Sequence, residues 1–461
     1  MKAIKTIKFS PAGYLFSFLG ILALSGVPAE AATNLWQVFQ MANQNNAGIH
    51  ADQKIKTASF ESYFSSFSGL LPQVSAAASV IRNSHSGSGS EADGTYQTQG
   101  YSLVASQVLF DANLWMTNVS AYHTAEAAGA TYRYQYQQFI QLVIQNYFAV
   151  LEAKDLVNVD VANVANFKTA YDQALAQYKV GLEVETAVKQ AEARYKQAQA
   201  TQIQDENHLQ SAKQNLQAVI NQPVDELFSL RGNLAFAFPT ATGSTPGKND
   251  VKSWVQLGIH NNQNLLAAQQ AASASEAAFG SDIGAWLPAV SLQLSVTDNN
   301  SHASGNPSVL SALGITHSID RKVAFVFNWN LFGGSTGANP YSIQEGAAIY
   351  AASEDTRLQT YRNTGALVTQ DFNNVTADLQ NIEQYRAAVV ASQSALEQYE
   401  ARFKVGLSTM LEVLQQVDSL YQSRSQYLQS EYRFINDEVK LKLDSGTLSV
   451  KDLEELNHLL V

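Results

Sequence analysis

The chain has 461 residues and no cysteine, and its 29 Lys and Arg against 40 Asp and Glu give a net charge of −11. The acidic charge argues against a nucleic-acid-binding surface, because phosphates are neutralised by Lys and Arg. The lack of cysteine excludes disulfide scaffolds, thiolate zinc sites, cysteine nucleophiles and a lipid-anchoring cysteine. With 46% hydrophobic and only 15% charged residues, the chain is too apolar to be disordered.

The first 31 residues have the layout of a secretory signal peptide. This layout consists of a basic start at Lys2, Lys5 and Lys8, an apolar run from Tyr14 to Leu24, and a small-x-small cleavage site at Ala29-Glu30-Ala31. The run is shorter than the ~18–20 residues of a spanning helix, which disfavours the alternative, an N-terminal membrane anchor. No later stretch of this length is uninterruptedly apolar, so a β-barrel is the spanning structure left to the mature chain.

Four short anchors recur in the same order in both halves of the chain, which predicts an internal duplication. They pair Asn45-Asn46 with Asn261-Asn262, Leu70-Leu71-Pro72-Gln73-Val74 with Trp286-Leu287-Pro288-Ala289-Val290, Leu109-Phe110 with Leu331-Phe332, and Tyr178-Lys179-Val180-Gly181-Leu182 with Phe403-Lys404-Val405-Gly406-Leu407. The segment between the halves contains Pro223, Pro239 and Pro246 and is interpreted as a linker. We therefore predict a first repeat at 32–222, a linker at 223–250, a second repeat at 251–446 and a C-terminal tail at 447–461.

Each half is predicted to contain a helix, two strands, a very long helix, a turn and a returning helix. The segment from Asp111 to Lys179 has no proline and would span ~100 Å as a helix. Apolar residues approach each turn at alternating steps of three and four, which is typical of a coiled-coil seam. Gly181 and Gly406 then stand where helices commonly end. Each half is predicted to end in an antiparallel coiled-coil hairpin with its tip at about 179–183 and 404–408.

The predicted strands lie at about 73–82, 101–110, 289–297 and 323–332 and alternate between apolar and polar residues. Their length and alternation suit tilted strands of an outer-membrane barrel, although a soluble sheet capping the helices is the alternative. Four strands cannot close around a lumen, so the chain would have to oligomerise. Three copies give twelve strands and room for an aqueous channel, whereas two copies give a narrow barrel filled by side chains.

No motif in the sequence indicates catalysis, a cofactor or a bound metal. The eight His show no metal-binding spacing, and there is no HExxH, phosphate-binding loop or GxSxG motif. The acid that stands out is Glu412, just after the second turn. In three symmetric copies it would form a carboxylate ring that favours cations and has pKa values raised by mutual repulsion. The simpler interpretation is a solvated acid on a coiled-coil surface.

Together these features resemble the TolC family of outer-membrane efflux channels, over essentially the whole mature chain. The most specific matches are the paired VGL turns, the LPxV junctions, the run FKVGLSTMLEVLQQVDSLYQSRSQYL and the segment SGTLSVKDLEELNHLL, which favour the TolC branch. The resemblance implies a mostly α fold with a small β part. Its duplicated unit would form one third of a trimeric 12-stranded β-barrel in outer-membrane lipid, continuous with a long periplasmic α-helical barrel.

The resemblance also implies roles for individual residues near the hairpin tips. Glu412 matches an acidic ring at the periplasmic pore constriction, and Gln415 stands where close relatives have a second acid. Ser408 and Ala187 occupy the positions of the Arg and Asp that latch the closed state of relatives, so we expect closure by coiled-coil packing instead. The remaining residues given a role are the gate neighbours Phe403 and Thr186 and the adaptor-contact turns Val180, Gly181, Leu182, Val405, Gly406 and Leu407.

The predicted function is a passive exit duct of tripartite efflux or type I secretion, carrying drugs, small molecules or proteins across the periplasm and outer membrane. The expected partners are two further copies, a periplasmic adaptor and an inner-membrane pump or ABC transporter, with no nucleic acid, cofactor or metal. A secreted or periplasmic coiled-coil scaffold or adhesin without a pore is the alternative, but it does not explain the amphipathic strands. A periplasmic hydrolase would need a catalytic constellation that the sequence lacks.

Overall fold

The computed structural model describes residues 32–85, 94–223, 226–231, 250–304, 317–331 and 339–461. The predicted signal peptide at 1–31 and most of the predicted linker at 223–250 lie outside the described residues. The described parts are mostly helical with one four-stranded sheet, which confirms the fold class expected from the sequence.

The two halves of the chain contain the same series of elements. The first half has α1 (Leu35–Asn45), α2 (Ala47–Ser68), β1 (Gln73–His85), β2 (Gly94–Phe110), α3 (Ala112–Lys179) and α4 (Glu185–Ile220). The second half has α5 (Val251–Asn261), α6 (Gln263–Gly284), β3 (Ala289–Ser304), β4 (Ser318–Asn328), α7 (Pro340–Lys404) and α8 (Met410–Asp444), followed by α9 (Val450–Asn457). Helix α3 alone has 68 residues and is ~100 Å long.

The four strands form one antiparallel sheet in the order β1-β2-β3-β4, so β1 and β4 are its edges. Cross-strand partners share a face, and the register places Ala76 opposite Leu103, Leu103 opposite Val296, and Leu292 opposite Phe325. One face of the sheet therefore carries Val74, Ala76, Ala78, Val80, Tyr101, Leu103, Ala105, Val290, Leu292, Leu294, Val296, Val323, Phe325 and Phe327, together with the polar Gln107, Asp298 and Arg321. The other face carries mainly Ser, Gln and Thr, and the larger side chains of the apolar face are exposed within the chain.

The ends of the strands differ from the expected ranges. Strand β4 ends at Asn328 instead of near 332, and the indole N–H of Trp329 donates a 3.1 Å hydrogen bond to the carbonyl oxygen of Trp286. This bond ties the chain after β4 to the junction between α6 and β3. At the end of the sheet away from the helices, β1, β2 and β3 extend beyond their expected ranges into polar segments without apolar–polar alternation. These segments remain strands because their backbone groups stay hydrogen-bonded to the neighbouring strand.

The helices adjoining the sheet follow the order of its strands. Helix α2 packs on α3, α3 packs on α6, and α6 packs on α7. Further along, α3 pairs with α4 and α7 with α8 as two hairpins, which contact each other mainly through α3 and α8. The chain thus forms one wall of neighbouring elements, with sheet at one end and coiled coil at the other.

An Asn breaks each of the helices before the sheet, which the sequence analysis treats as single stretches. The side chain of Asn46 accepts hydrogen bonds from the backbone N–H groups of Gly48 and Ile49, and that of Asn262 accepts one from Leu265. The Asn262 amide also donates to the carbonyl oxygen of Asp444 at the end of α8, at 2.9 Å. These residues end one helix, cap the next and bind the returning helix of the same half.

The largest hydrophobic core lies where these helix ends meet and contains Trp254, Tyr147, Tyr432 and Phe148. The C-terminal tail belongs to it, because the buried Lys442 lies 3.0 Å from carboxylate oxygens of both Glu438 and Asp452. Short β-bridges join Thr33 to Leu227 and Leu230 to Leu460. The first described residues, the segment 226–231 and the last residues of the chain are therefore held together.

Among the helices of the described ranges, none is both long and apolar enough to cross a membrane.

Two glycines with positive φ allow a matched test of this packing. Gly406 (φ 76°) has open space where a Cβ would stand, whereas a Cβ at Gly446 (φ 70°) would clash with the backbone of Asn261. Gly406→Ala should lower the free energy of unfolding by ~1–2 kcal/mol from backbone strain alone. Gly446→Ala should lower the free energy of unfolding by a further ~1–3 kcal/mol, because its Cβ would overpack against the backbone of Asn261. Thermal unfolding followed by circular dichroism checks this, and equal melting temperatures for the two variants would contradict the packing described.

Candidate functional site

The two hairpin turns have nearly the same backbone structure. In the first turn Gly181 adopts φ 75°, its N–H donates to the carbonyl of Tyr178, and the N–H of Leu182 donates to that of Gln177. In the second turn Gly406 adopts φ 76°, and the equivalent bonds run to Phe403 and Arg402. These are Schellman motifs, in which a residue without a Cβ takes the left-handed conformation that ends a helix.

The apolar residues of the turns are directed away from the chain's own core. The exposed fractions are 70% for Val180, 78% for Leu182, 69% for Val405 and 68% for Leu407. In many Schellman motifs the equivalent of Leu182 packs back on its helix, so this exposure leaves apolar surface at both tips. The sequence-predicted contact turns are therefore exposed at one end of the molecule.

Glu412 lies at the start of α8 and forms a capping box with Thr409. Its carboxylate accepts a 2.7 Å hydrogen bond from the Thr409 N–H and a 3.1 Å bond from the Thr409 hydroxyl, while its own N–H donates to that hydroxyl. The Thr409 backbone and side-chain bonds lower the pKa of Glu412, and the nearby Arg402 lowers it further. A ring of acids would instead raise the pKa of Glu412. The repulsion that raises it comes from the carboxylates of neighbouring copies, which are not part of a single chain.

Gln415 follows Glu412 by three residues, so the two side chains are neighbours along the helix surface. Gln415 is exposed, while Val413 and Leu414 are buried in the core between the hairpins. The helix therefore directs its polar pair away from the core of the same chain.

The predicted gate neighbours fall into two groups. Phe403 and Ala187 are buried and belong to one hydrophobic cluster with Met410, whereas Thr186 is exposed. The Ser408 hydroxyl donates a 3.1 Å hydrogen bond to the carbonyl of Tyr399 and so stays within its own hairpin. In this chain the region is held by packing around Phe403.

The structure adds an ion pair that the sequence analysis missed. Arg194 of α4 lies 3.5 Å from Asp418 of α8 and joins the two hairpins one heptad beyond Ala187. Both side chains are partly exposed, so the pair contributes little to stability by itself. No local motif signals it, because the two residues are far apart in sequence and on different repeats.

A buried acid lies in the same region. Asp160 of α3 is only 1% exposed and faces Asp205 of α4 and Tyr421 of α8. Burial raises the pKa of Asp160 to about 7, an effect that the neighbouring Asp205 strengthens and Tyr421 opposes. Burial, together with the neighbouring Asp160, raises the pKa of Tyr421 to about 12.

A cavity of about 350 Å³ adjoins this acid between α3, α4 and α8. It is lined by Asn163, Phe167, Arg194, Gln197, Ala198, Thr201, Asp418, Tyr421 and Gln422. The lining is mostly polar, unlike the apolar lining usual for small-molecule sites. Within the described ranges no group of three or more His, Cys, Asp or Glu could hold a metal ion.

Comparison with known proteins decides the family. The sequence profile of the family described as Outer membrane efflux protein matches residues 38–222 and 254–447, which are the two repeats. The chain belongs to the outer membrane efflux protein family. This family consists of transport channels, so the protein is an outer-membrane protein whose helical end extends into the periplasm.

Individual proteins also match over nearly the whole chain. The Outer membrane protein TolC of Salmonella enteritidis is 26% identical over 438 residues, covering 95% of this chain and 87% of the relative. The Proteases secretion protein PrtF of Dickeya chrysanthemi is 22% identical, covering 95% and 93%. The crystal structure of the outer membrane protein VceC from Vibrio cholerae has a TM-score of 0.76 at 16% identity, covering 90% and 96%, and has the same fold.

The raised pKa of Asp160 predicts a pH dependence of stability. The folded-state pKa of about 7 exceeds the ordinary value of 3.8, so the folded chain binds more protons between these values. The free energy of unfolding should therefore fall as the pH rises from ~4 to ~7, with the loss complete above pH ~7. Asp160→Asn should remove part of the fall in melting temperature between pH 5 and pH 8.

Asp172→Asn is the matched control, because Asp172 is an exposed acid on the same helix, paired with Lys168 at 2.7 Å. This variant should leave the fall in melting temperature between pH 5 and pH 8 unchanged. Asp378 and Asp444, whose pKa values burial also raises to about 7, should contribute to the part of the fall that remains. An unchanged slope in Asp160→Asn would show that Asp160 does not hold its proton near neutral pH.

Proposed function

We propose that three copies of the chain form a passive exit duct through the outer membrane and the periplasm. The observation that carries the proposal is the sheet, which has an exposed apolar face and two edges, β1 and β4, that pair with no other strand of the described chain. In lipid each unpaired backbone group costs several kcal/mol, so the edges need partners. A second copy of the chain supplies them, since its β1 can pair with β4 of the first.

Geometry favours three copies over two. Two copies would give eight strands, whose interior is filled by side chains or holds one small ligand, while three copies give twelve strands and an open lumen. The helices support the same closure, because α2 and α7 are the outer members of the row α2-α3-α6-α7 and lie beside the edge strands. One symmetric operation thus closes the sheet and the helical wall together.

The polar face of the sheet supports a water-filled interior. Ser75, Ser102, Gln293 and Ser295 lie on this face among a few Ala and Val, whereas Tyr101, Leu103, Phe325 and Phe327 lie on the other. A scaffold or adhesin without a pore would leave that apolar face in water, which favours the duct. We propose no enzymatic activity and no cofactor: the duct conducts, and partners supply energy and choose the cargo.

The exposed turns are the proposed docking surface for a periplasmic adaptor, which would link the duct to an inner-membrane pump or ABC transporter. Their apolar residues lie at the end of the coiled coil farthest from the sheet, where such a partner would reach them. The related PrtF is named as a protease secretion protein, and the family itself is described as one of efflux proteins. Both protein secretion and small-molecule efflux are therefore proposed cargo classes.

Fractionation and electrophysiology test the proposal together. The full-length protein expressed in a bacterium should float with outer-membrane vesicles, run as a trimer in mild detergent and conduct ions in planar bilayers. A protein that stays in the soluble periplasmic fraction and opens no conductance would overturn it.

The two faces of β4 allow a matched mutational test of membrane insertion. Phe325 is 75% exposed on the apolar face, and the adjacent Val326 lies on the opposite face. Phe325→Lys should cost ~2–4 kcal/mol per copy near the bilayer midplane and deplete trimers from the outer membrane. Val326→Lys should leave the trimer yield nearly unchanged, because its side chain meets water. Equal yields from both variants would contradict the assigned faces.

The carboxylate ring proposed at Glu412 is tested by Glu412→Gln. Gln at this position can still complete the capping box with Thr409, so α8 stays capped while three negative charges are lost from the trimer. In bilayers the variant should lose cation preference and block by multivalent cations. Glu185→Gln removes the same number of charges at the start of α4 and should change neither. If the Glu412→Gln channel kept its cation preference, Glu412 would not be part of the pore constriction.

A further inference from the structure

The two turns of each copy share a backbone and an apolar tip but differ in charge. Between residues 177 and 187 the first turn has Lys179 against Glu183 and Glu185, a net charge of −1. Between residues 402 and 412 the second turn has Arg402 and Lys404 against Glu412, a net charge of +1. The turns match at an offset of 225, so each difference is a substitution at an equivalent position, such as Gln177 for Arg402 and Glu183 for Ser408.

These charges are available to a partner. Glu185, Lys179, Arg402 and Lys404 are exposed, and none of the four takes part in an ion pair among the described residues. The Arg402 guanidinium donates to the carbonyl oxygen of Leu407 at 3.3 Å, which holds the positive charge at the base of the second tip. The one acid of the second turn, Glu412, is already hydrogen-bonded to Thr409.

We propose that the two turns are non-equivalent docking sites, and that the protein partner that binds them presents Lys or Arg to the first turn and Asp or Glu to the second, around a shared apolar contact. The inference rests on the proposed function and deepens it. Apolar surface of equal exposure supplies attraction at both tips, and complementary charge sets which part of the partner meets which tip. A closed trimer would then present alternating acidic and basic tips and fix the rotational register of the partner.

The experiment uses the full-length trimer in detergent and two synthetic coiled-coil hairpin peptides. The peptides share an apolar tip with one cysteine and differ only in the flanking residues, which are Glu in one and Lys in the other. The chain has no cysteine of its own, so Val180→Cys and Val405→Cys each give a unique thiol at equivalent positions. The measured quantity is the rate of disulfide formation between each peptide and each thiol.

The Lys peptide should react faster at Val180→Cys and the Glu peptide faster at Val405→Cys. One unit charge ~7 Å away in water changes the local concentration of a singly charged group about threefold. At each thiol, the favoured peptide should therefore react at least about three times faster than the other at low salt. Both preferences should shrink at ~1 M salt, where the screening length is ~3 Å.

A charge exchange within the chain gives the matched control. Gln177→Arg with Glu183→Ser, combined with Arg402→Gln and Ser408→Glu, moves the charges of each turn onto the other and should invert both preferences. Equal rates at the two thiols of the parent, or preferences that survive the exchange, would overturn the inference. Bilayer conductance of the same preparations separates the two hypotheses: conducting trimers without a charge preference refute only the inference, and non-conducting protein that keeps the preference refutes only the duct.

Discussion

Backbone hydrogen bonding at the edges of the sheet is the constraint on which the account of this protein depends. The described residues of one copy form a single sheet of four strands. The apolar face of this sheet suits lipid, where unpaired N–H and C=O groups are not tolerated. The chain is therefore incomplete by itself. Because the helices α2, α3, α6 and α7 stand in the order of the strands, any operation that closes the sheet also closes the coiled-coil wall.

The duplication gives both halves of the chain the same series of elements, but the two halves differ in detail. Both halves use an Asn to end one helix and cap the next, and in both a Schellman turn with an exposed Val and Leu joins the long helix to the returning helix. The halves differ mainly in charge and in how the returning helix begins. Helix α8 starts with a capping box, whereas Val184, the N-cap residue of α4, provides no side-chain hydrogen bond. Equivalent backbones thus carry different chemistry at the periplasmic end.

Most of the fold follows from periodicities in the sequence, and the exceptions have physical causes. The long helices and apolar strand faces repeat with regular periods, so local patterns predict them. The helix breaks at Asn46 and Asn262 depend on contacts with the ends of α4 and α8, which no local pattern contains. The polar outer parts of β1, β2 and β3 lack alternation and are held by pairing alone.

The same distinction applies to the candidate site. The positions of the turns and of Glu412 follow from the glycines and from the resemblance to a known family. The capping box of Glu412 was signalled by Thr409 three residues earlier, a pattern that is readable from the sequence. The pair Arg194–Asp418 and the buried Asp160 depend on contacts between separate helices, so only the tertiary structure identifies them.

The most direct test of the central claim is disulfide crosslinking between the two edge strands. Within one copy β1 and β4 are three strand spacings apart, ~14 Å, which is too far for a disulfide. A chain with Ala77→Cys on β1 and one cysteine scanned along β4 should therefore form bonds only between copies, and after oxidation in the membrane it should migrate as covalent dimers and trimers and nothing larger. Crosslinks confined to single chains, or none at any β4 position, would contradict closure of the sheet by three copies.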